Sequence, residues 1–261
     1  MLNKNMSDDN YRFSGISRLY GSTAPKALAE AHVCVVGIGG VGSWTVEALV
    51  RSGVGEITMV DLDDICITNV NRQLHALDGS IGKSKVLALK ERCLLINPDL
   101  KVNPIEDYLT PSSANQILAT SYDYVVDAID SIENKAVLID ECLKRKIPVL
   151  TIGGAGGKKD PSKVLVEDLS QSWNDRLLQR LRKNLRKEYS FPVDRTPFNV
   201  LSIFSPELPF LARDDGSVCQ IEKEEQKSYK LDCYTGYGSA SFVTGTFGFV
   251  AAAEVVKAIS S

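Results

Sequence analysis

The sequence predicts an α/β fold built on a doubly wound, mainly parallel sheet. Three observations carry that expectation. Short apolar runs of strand length alternate with stretches of helical periodicity as far as residue 157. The first two runs, residues 33–36 and 57–60, flank a glycine turn and a helical stretch. Runs 57–60 and 124–126 each lead into acids, where open parallel sheets bind ligands beyond their strand ends.

The turn reads Gly37-Ile38-Gly39-Gly40-Val41-Gly42 and opens the helical stretch 43–50. Glycines at this spacing permit a tight turn, close backbone approach to a phosphate and close helix packing. The helix start offers free N–H groups and a positive dipole end to an anion. Asp61 follows about 20 residues on, where a carboxylate accepts ribose hydroxyls. This Rossmann-like unit suits NAD, FAD or ATP and does not choose among them.

The remaining elements follow in order. Residues 1–10 read as loosely attached, and 25–31 as a short helix feeding the first strand. Gly82-Lys83-Ser84-Lys85 starts a helix with Val86, Leu89, Cys93 and Leu94 on its apolar face, and Asn97-Pro98 ends it. Residues 101–105 form a strand and 111–119 a capped helix. Strand 124–130, helix 132–146 and strand 148–152 come next, ending in Gly153-Gly154-Ala155-Gly156-Gly157. A C-terminal extension of crossover loops, short strands and helices begins near 158. It holds a strand at 164–166 and an amphipathic helix at 173–187. Irregular loops at 190–235 include strands near 200–204 and 229–232, and a helix covers 239–259. The expectation is one domain over 1–261, with a nucleotide-binding half at 11–157.

Composition narrows the class. At 261 residues and 44% apolar content the chain can bury a sizeable core. A net charge of −3 means that any nucleic-acid surface is local. Six scattered cysteines without a Cys-x-x-Cys pair argue for reduced thiols, a cytoplasmic setting and no cysteine zinc site. Cys34 and Cys66, on or near strands, are expected to be buried. The N-terminus has no signal-peptide core. Residues 234–253 carry no charge, but Gly236, Gly238, Gly245 and Gly248 with several Ser and Thr favour a helix buried against the sheet over a membrane span.

Further residues select the nucleotide. Asn69, Arg72 and Gln73 follow the first acidic strand end, and Lys85 starts the next helix. Arg72 and Lys85 set two cations against a triphosphate. Asp127 and Asp130 follow strand 124–126, and a carboxylate there holds Mg²⁺ together with phosphate oxygens. NAD needs neither feature, so the set points to ATP and Mg²⁺. Taken singly, Arg72 and Lys85 read as surface charges and Asp130 as a helix cap.

These residues resemble the ubiquitin-activating-enzyme-like adenylyltransferases. The shared features are Gly37 to Gly42, Asp61-Leu62-Asp63, Asn69-Val70-Asn71-Arg72-Gln73, Gly82-x-x-Lys85 and Asp127-x-x-Asp130. Within them the chain is most similar to the bacterial tRNA threonylcarbamoyladenosine dehydratases, through Arg12-Phe13, Arg18-Leu19-Tyr20-Gly21, Leu74-His75-Ala76-Leu77, the loop 153–157, Asp232-Cys233 and Thr246-Phe247-Gly248-Phe249-Val250.

The resemblance implies roles. Asp61 binds ribose with Asp63 close by. The turn 39–42, Asn69, Arg72 and Lys85 hold phosphates, and Asp130 holds Mg²⁺. Arg18 reaches the triphosphate of the partner subunit in a homodimer, or else makes a simple salt bridge. The implied reaction is ATP-dependent cyclisation of threonylcarbamoyladenosine beside the tRNA anticodon, through an acyl-adenylate. The alternative is adenylylation of a sulfur-carrier protein's C-terminal glycine, and a cysteine desulfurase system is a partner the family suggests. Cys233 is a reactive thiol or a structural one. The basic face of Arg176, Arg180, Lys183, Arg186 and Lys187 contacts tRNA phosphates or is a solvated face over a leucine core.

Overall fold

The structure, a computed structural model, describes residues 11–194, 196–213, 215–220 and 237–261. Cys233 and the strand expected at 229–232 lie outside the described residues, as do residues 1–10.

Two short helices, α1 (Ser14–Tyr20) and α2 (Ala24–Glu30), precede β1 (His32–Val36). Then come α3 (Gly42–Arg51), β2 (Glu56–Val60), α4 (Lys85–Ile96), β3 (Lys101–Ile105), α5 (Ala114–Ile117), β4 (Tyr124–Asp127), α6 (Ile132–Lys144) and β5 (Val149–Ile152). The C-terminal part adds β6 (Leu165–Asp168), α7 (Arg176–Glu188), β7 (Leu201–Phe204), the hairpin β8 (Phe210–Ala212) and β9 (Val218–Gln220), and α8 (Ser241–Ser260).

Seven strands form one sheet in the order β3-β2-β1-β4-β5-β7-β6. All neighbours are parallel except β6 against β7. Pro104 lacks an N–H and is confined to β3, the sheet edge. The chain order reverses at β1, between β2 and β4. That places the ligand crevice over β1 and its neighbours.

Each strand feeds both faces. Val33 and Val35 enter a core with Val46, Leu49, Leu89, Phe247 and Val255 from α3, α4 and α8. Cys34 and Val36 point the other way, into a core with Ile117, Leu138, Leu181 and Leu185 from α5, α6 and α7. The period-2 alternation of a strand thus closes a three-layer molecule. By length and composition α8 is sufficient to cross a membrane. Val243, Phe247, Ala251 and Val255 instead spend it on the first core.

Several expectations need correction. The helix expected at 111–119 covers only Ala114–Ile117. Ser113 Oγ donates to the Tyr108 carbonyl at 2.6 Å and accepts from the Thr110 N–H at 2.9 Å, and such local bonds compete with helix. Strand 124–130 stops at Asp127, whose Oδ1 accepts the Ile129 N–H at 3.1 Å and turns the chain. The loops after 190 contain the unforeseen hairpin β8–β9. Cys66 is exposed rather than buried, because it lies past the end of β2.

Candidate functional site

One cavity of about 1260 Å³ lies beyond the C-terminal ends of β1, β2, β4 and β5. The glycine turn forms its floor. Gly37 has φ of +89°, and its N–H bonds the Val60 carbonyl at 2.9 Å. A Cβ on Gly42 would stand 1.8 Å from the Gly37 carbonyl oxygen, so only glycine lets α3 start there. The N–H groups of Gly39, Gly40 and Val41 find no partner among the described residues, and all three residues line the cavity. Unpaired N–H groups at a helix start form an anion cradle.

Acids occupy the β2 side. Asp61 accepts the Ile38 N–H at 2.7 Å and the Asp63 N–H at 2.9 Å. Burial raises its pKa against the opposing pull of Lys85. Lys85 Nζ lies 2.6 Å from Asp63 and 3.8 Å from Asp61. Burial would raise the Asp63 pKa too, but bonds from Lys85 and Tyr108 outweigh it and the net shift is downward. Tyr108 donates to Asp63 at 2.5 Å, which pushes the phenol pKa up to about 12.

The segment after β2 is pinned from two sides. Trp44 Nε1 and Thr244 Oγ1 both donate to the Arg72 carbonyl, at 3.0 and 3.3 Å. Asn71 donates to the Ser239 carbonyl at 2.8 Å. Helices α3 and α8 therefore fix where the Arg72 guanidinium starts. That group bonds the Thr68 carbonyl at 2.7 Å and keeps donors for the cavity it lines. Asn69 turns its Oδ1 back to the Cys66 N–H at 3.0 Å. Gln73 is buried, lines the cavity and leaves its Oε1 without a partner among the described residues.

The two acids after β4 separate. Asp127 is fully buried and does not line the cavity. Its carboxylate takes Lys135 at 2.9 Å, Thr151 Oγ1 at 2.7 Å and the Ile129 N–H. The expected nucleotide contact by Asp127 is thus corrected to a buried support for the loop that carries Asp130. Asp130 is exposed, lines the cavity and makes no hydrogen bond or ion pair among the described residues. It is not a helix cap; Ser131 is, with its Oγ accepting from Asn134. A lone accessible carboxylate beside a phosphate cradle is the donor chemistry Mg²⁺ takes, with waters completing its shell.

A family model described as the ThiF family matches residues 14–261. The chain belongs to the ThiF family. It is 44% identical to the tRNA threonylcarbamoyladenosine dehydratase of Escherichia coli (strain K12) over 247 residues, covering 94% of this chain and 92% of that protein. It is 46% identical to the enzyme of the same name from Haemophilus influenzae over 251 residues, covering 95% and 94%. The structure of the Escherichia coli dehydratase in complex with ATP superposes with a TM-score of 0.84 at 40% identity, covering 97% of this chain and 96% of that one.

In this ThiF-family chain, Gly37, Gly39, Gly40, Asp61, Asp63, Asn69, Arg72, Gln73, Lys85 and Asp130 converge on one cavity. Gly42 serves packing beneath it. Arg18, exposed on α1, bonds Ser14 Oγ at 3.5 Å and does not line it. The basic helix divides. Arg176 and Arg180 line the cavity, whereas Arg186 bonds the Pro192 carbonyl at 2.9 Å and stacks over Phe198, and Lys187 pairs with Glu188 at 2.5 Å. Lining residues that sequence reasoning missed are Tyr108, Lys158, Asn174 and Tyr237. Only Lys158, one residue past the glycine loop, carried a signal.

Proposed function

We propose that this protein is an ATP-dependent tRNA threonylcarbamoyladenosine dehydratase. The observation that carries the reading is the single cavity with a nucleotide cradle at one end and Lys158, Arg176 and Arg180 at the other. Two reactants sit side by side there. The ATP ribose meets Asp61. Its phosphates meet the free N–H groups of the turn, Arg72 and Lys85. When Mg²⁺ is bound, Asp130 supplies its carboxylate, and the ion neutralises phosphate charge.

The chain's residues hold the α-phosphate in line with the substrate carboxylate. One carboxylate oxygen bonds phosphorus, the bond to pyrophosphate breaks and an acyl-adenylate forms. The carbamoyl-side nitrogen then attacks the acyl carbon. A five-membered ring closes, AMP leaves with the former carboxylate oxygen and the nitrogen loses its proton. The net loss from the nucleoside is one water. Positioning and charge neutralisation supply the rate. A homodimer is part of this reading: Arg18, free of its own cavity, reaches the partner's triphosphate. The setting is the cytoplasm, where ATP and tRNA meet.

The test is AMP and pyrophosphate release with and without tRNA bearing threonylcarbamoyladenosine, followed by mass spectrometry of the nucleosides. AMP release that needs this tRNA, with a product one water lighter, is expected. AMP release independent of it, with an unchanged nucleoside, overturns the reading. In that case a carrier protein with a Gly-Gly tail is the next substrate to offer.

A further inference from the structure

Arg176 stands at the first position of α7, with Asp175 as the cap before it. It forms part of the cavity wall, next to the Gly153–Gly154 turn at the end of β5. Its Nη1 is shut off from solvent and has no hydrogen-bond partner among the described residues. A guanidinium nitrogen left in that state costs free energy until an acceptor reaches the group. Arg180 lies one turn along on the same face and is exposed. Lys158, buried and also lining the cavity, spends its ammonium on the carbonyls of Ser205 and Glu207. The Asp175 carboxylate is absorbed by the N–H groups of Gly154 and Leu178, both at 2.9 Å. Among the described residues Arg176 and Arg180 are therefore the cations in this half that make no hydrogen bond or ion pair, and Arg176 is the more buried of the two.

We propose that Arg176 holds the substrate's own carboxylate, with Arg180 closing the outer side, and so selects a carboxylate-bearing modified nucleoside. The proposal rests on the dehydratase reading. Two physical arguments favour the carboxylate over an RNA phosphate. First, Arg176 lies in the wall of a cleft beyond the strand ends, which a protruding side chain enters more readily than the backbone of a folded RNA. Second, a carboxylate approaching a triphosphate meets like charge, so it needs a cation on its own side of the α-phosphate. Arg72 and Lys85 serve the other side. A planar guanidinium can take one carboxylate oxygen and leave the second aimed at phosphorus. Adenylation removes the negative charge, so the clamp weakens once the acyl-adenylate forms.

The experiment compares two anticodon stem-loop RNAs. One carries threonylcarbamoyladenosine; in the other that carboxylate is a primary carboxamide. Binding is measured with an ATP analogue whose α,β-bridge is methylene. Wild type is expected to prefer the acid by about 10- to 100-fold, the range for a hydrogen bond to a charged group. Arg176→Gln is expected to remove that preference while binding the carboxamide RNA as before, and Arg180→Gln to reduce it. Equal losses for both RNAs would move Arg176 to the phosphate backbone and overturn the proposal, as would an undiminished preference. Wild type that favours modified over unmodified RNA but treats acid and amide alike sinks the carboxylate clamp and spares the dehydratase reading. Wild type with no preference for modified RNA sinks both.

Discussion

Asp127 and Lys135 form an ion pair of 2.9 Å in which neither side chain is exposed to solvent. The pair lies directly beneath the loop that carries Asp130. Lys135 also donates to the Asp127 backbone carbonyl at 3.3 Å, and Thr151 completes the shell at 2.7 Å. Two buried charges attract strongly at low dielectric but cost much to desolvate, so the complete network is close to neutral for stability. Removing one partner is not. Lys135→Ala leaves Asp127 buried and uncompensated, and should lower stability by about 3–5 kcal/mol in urea unfolding. The double change Asp127→Ala with Lys135→Met should recover a large part of it. A single variant of wild-type stability would show that water reaches the pair.

Arg72→Ala and Asp130→Ala should each cut tRNA-dependent AMP formation by roughly 10²-fold or more, the scale for losing a charge-stabilising group. Neither should unfold the protein. Among the described residues the Arg72 guanidinium hydrogen-bonds only the Thr68 carbonyl and the Asn71 side chain, and Asp130 makes no hydrogen bond or ion pair. Circular dichroism and melting temperature check the fold, and AMP release checks the chemistry. Near-normal turnover in either variant removes that residue from the phosphate or metal role.

His75 should make stability pH-dependent. It is buried, both ring nitrogens lack partners among the described residues, and burial, with the charge of Lys85 adding, pushes its pKa from 6.5 down to about 4. The unfolded chain takes this proton near pH 6.5 and the folded chain only near 4. Between those values the unfolded state binds more protons, so stability falls as pH falls. At 1.36 kcal/mol per unit the full loss is about 3 kcal/mol. The chain's other histidine, His32, is shifted the same way by burial, against Glu56 and Asp123. Comparing His75→Gln with wild type isolates the effect. Parallel stability curves from pH 6.5 to 5 would refute it.

Much of the site was legible because its parts are local. A glycine turn, an acidic strand end and a lysine at a helix start each declare themselves within a few residues, and the parallel sheet brings them together. Asp127 and Asp130 show where this stops. Their spacing is visible in sequence, but Lys135 and Thr151, which bury one and leave the other free, come from different elements. The basic helix shows the same limit. Its six cations look alike in sequence, and only the docking of α7 puts Arg176 and Arg180 inside the cavity. Tyr108 stands in an irregular segment whose path is set by hydroxyl–backbone bonds, with no periodicity to reveal it.

The C-terminal helix offers the last prediction, because it serves packing and site at once. A Cβ added at Gly248 would stand 2.7 Å from the Val41 carbonyl oxygen, 2.8 Å from Trp44 Cβ and 2.9 Å from the Thr45 nitrogen. Two of these are backbone atoms of the turn and of α3, which cannot swing aside, so α8 itself must move. Gly248→Ala should cost about 1–3 kcal/mol, the range for overpacking a filled core. The same shift draws Thr244 from the Arg72 carbonyl and strains the Trp44–Phe249 edge contact, whose ring centroids lie 5.8 Å apart. The Kd for ATP should therefore rise along with the loss of stability. Gly15→Ala is the control: nothing lies within 4 Å of its added Cβ on α1, and the change should be neutral or stabilise by up to about 1 kcal/mol. If Gly248→Ala melts at a lower temperature yet binds ATP as tightly as wild type, α8 supports the core without positioning Arg72.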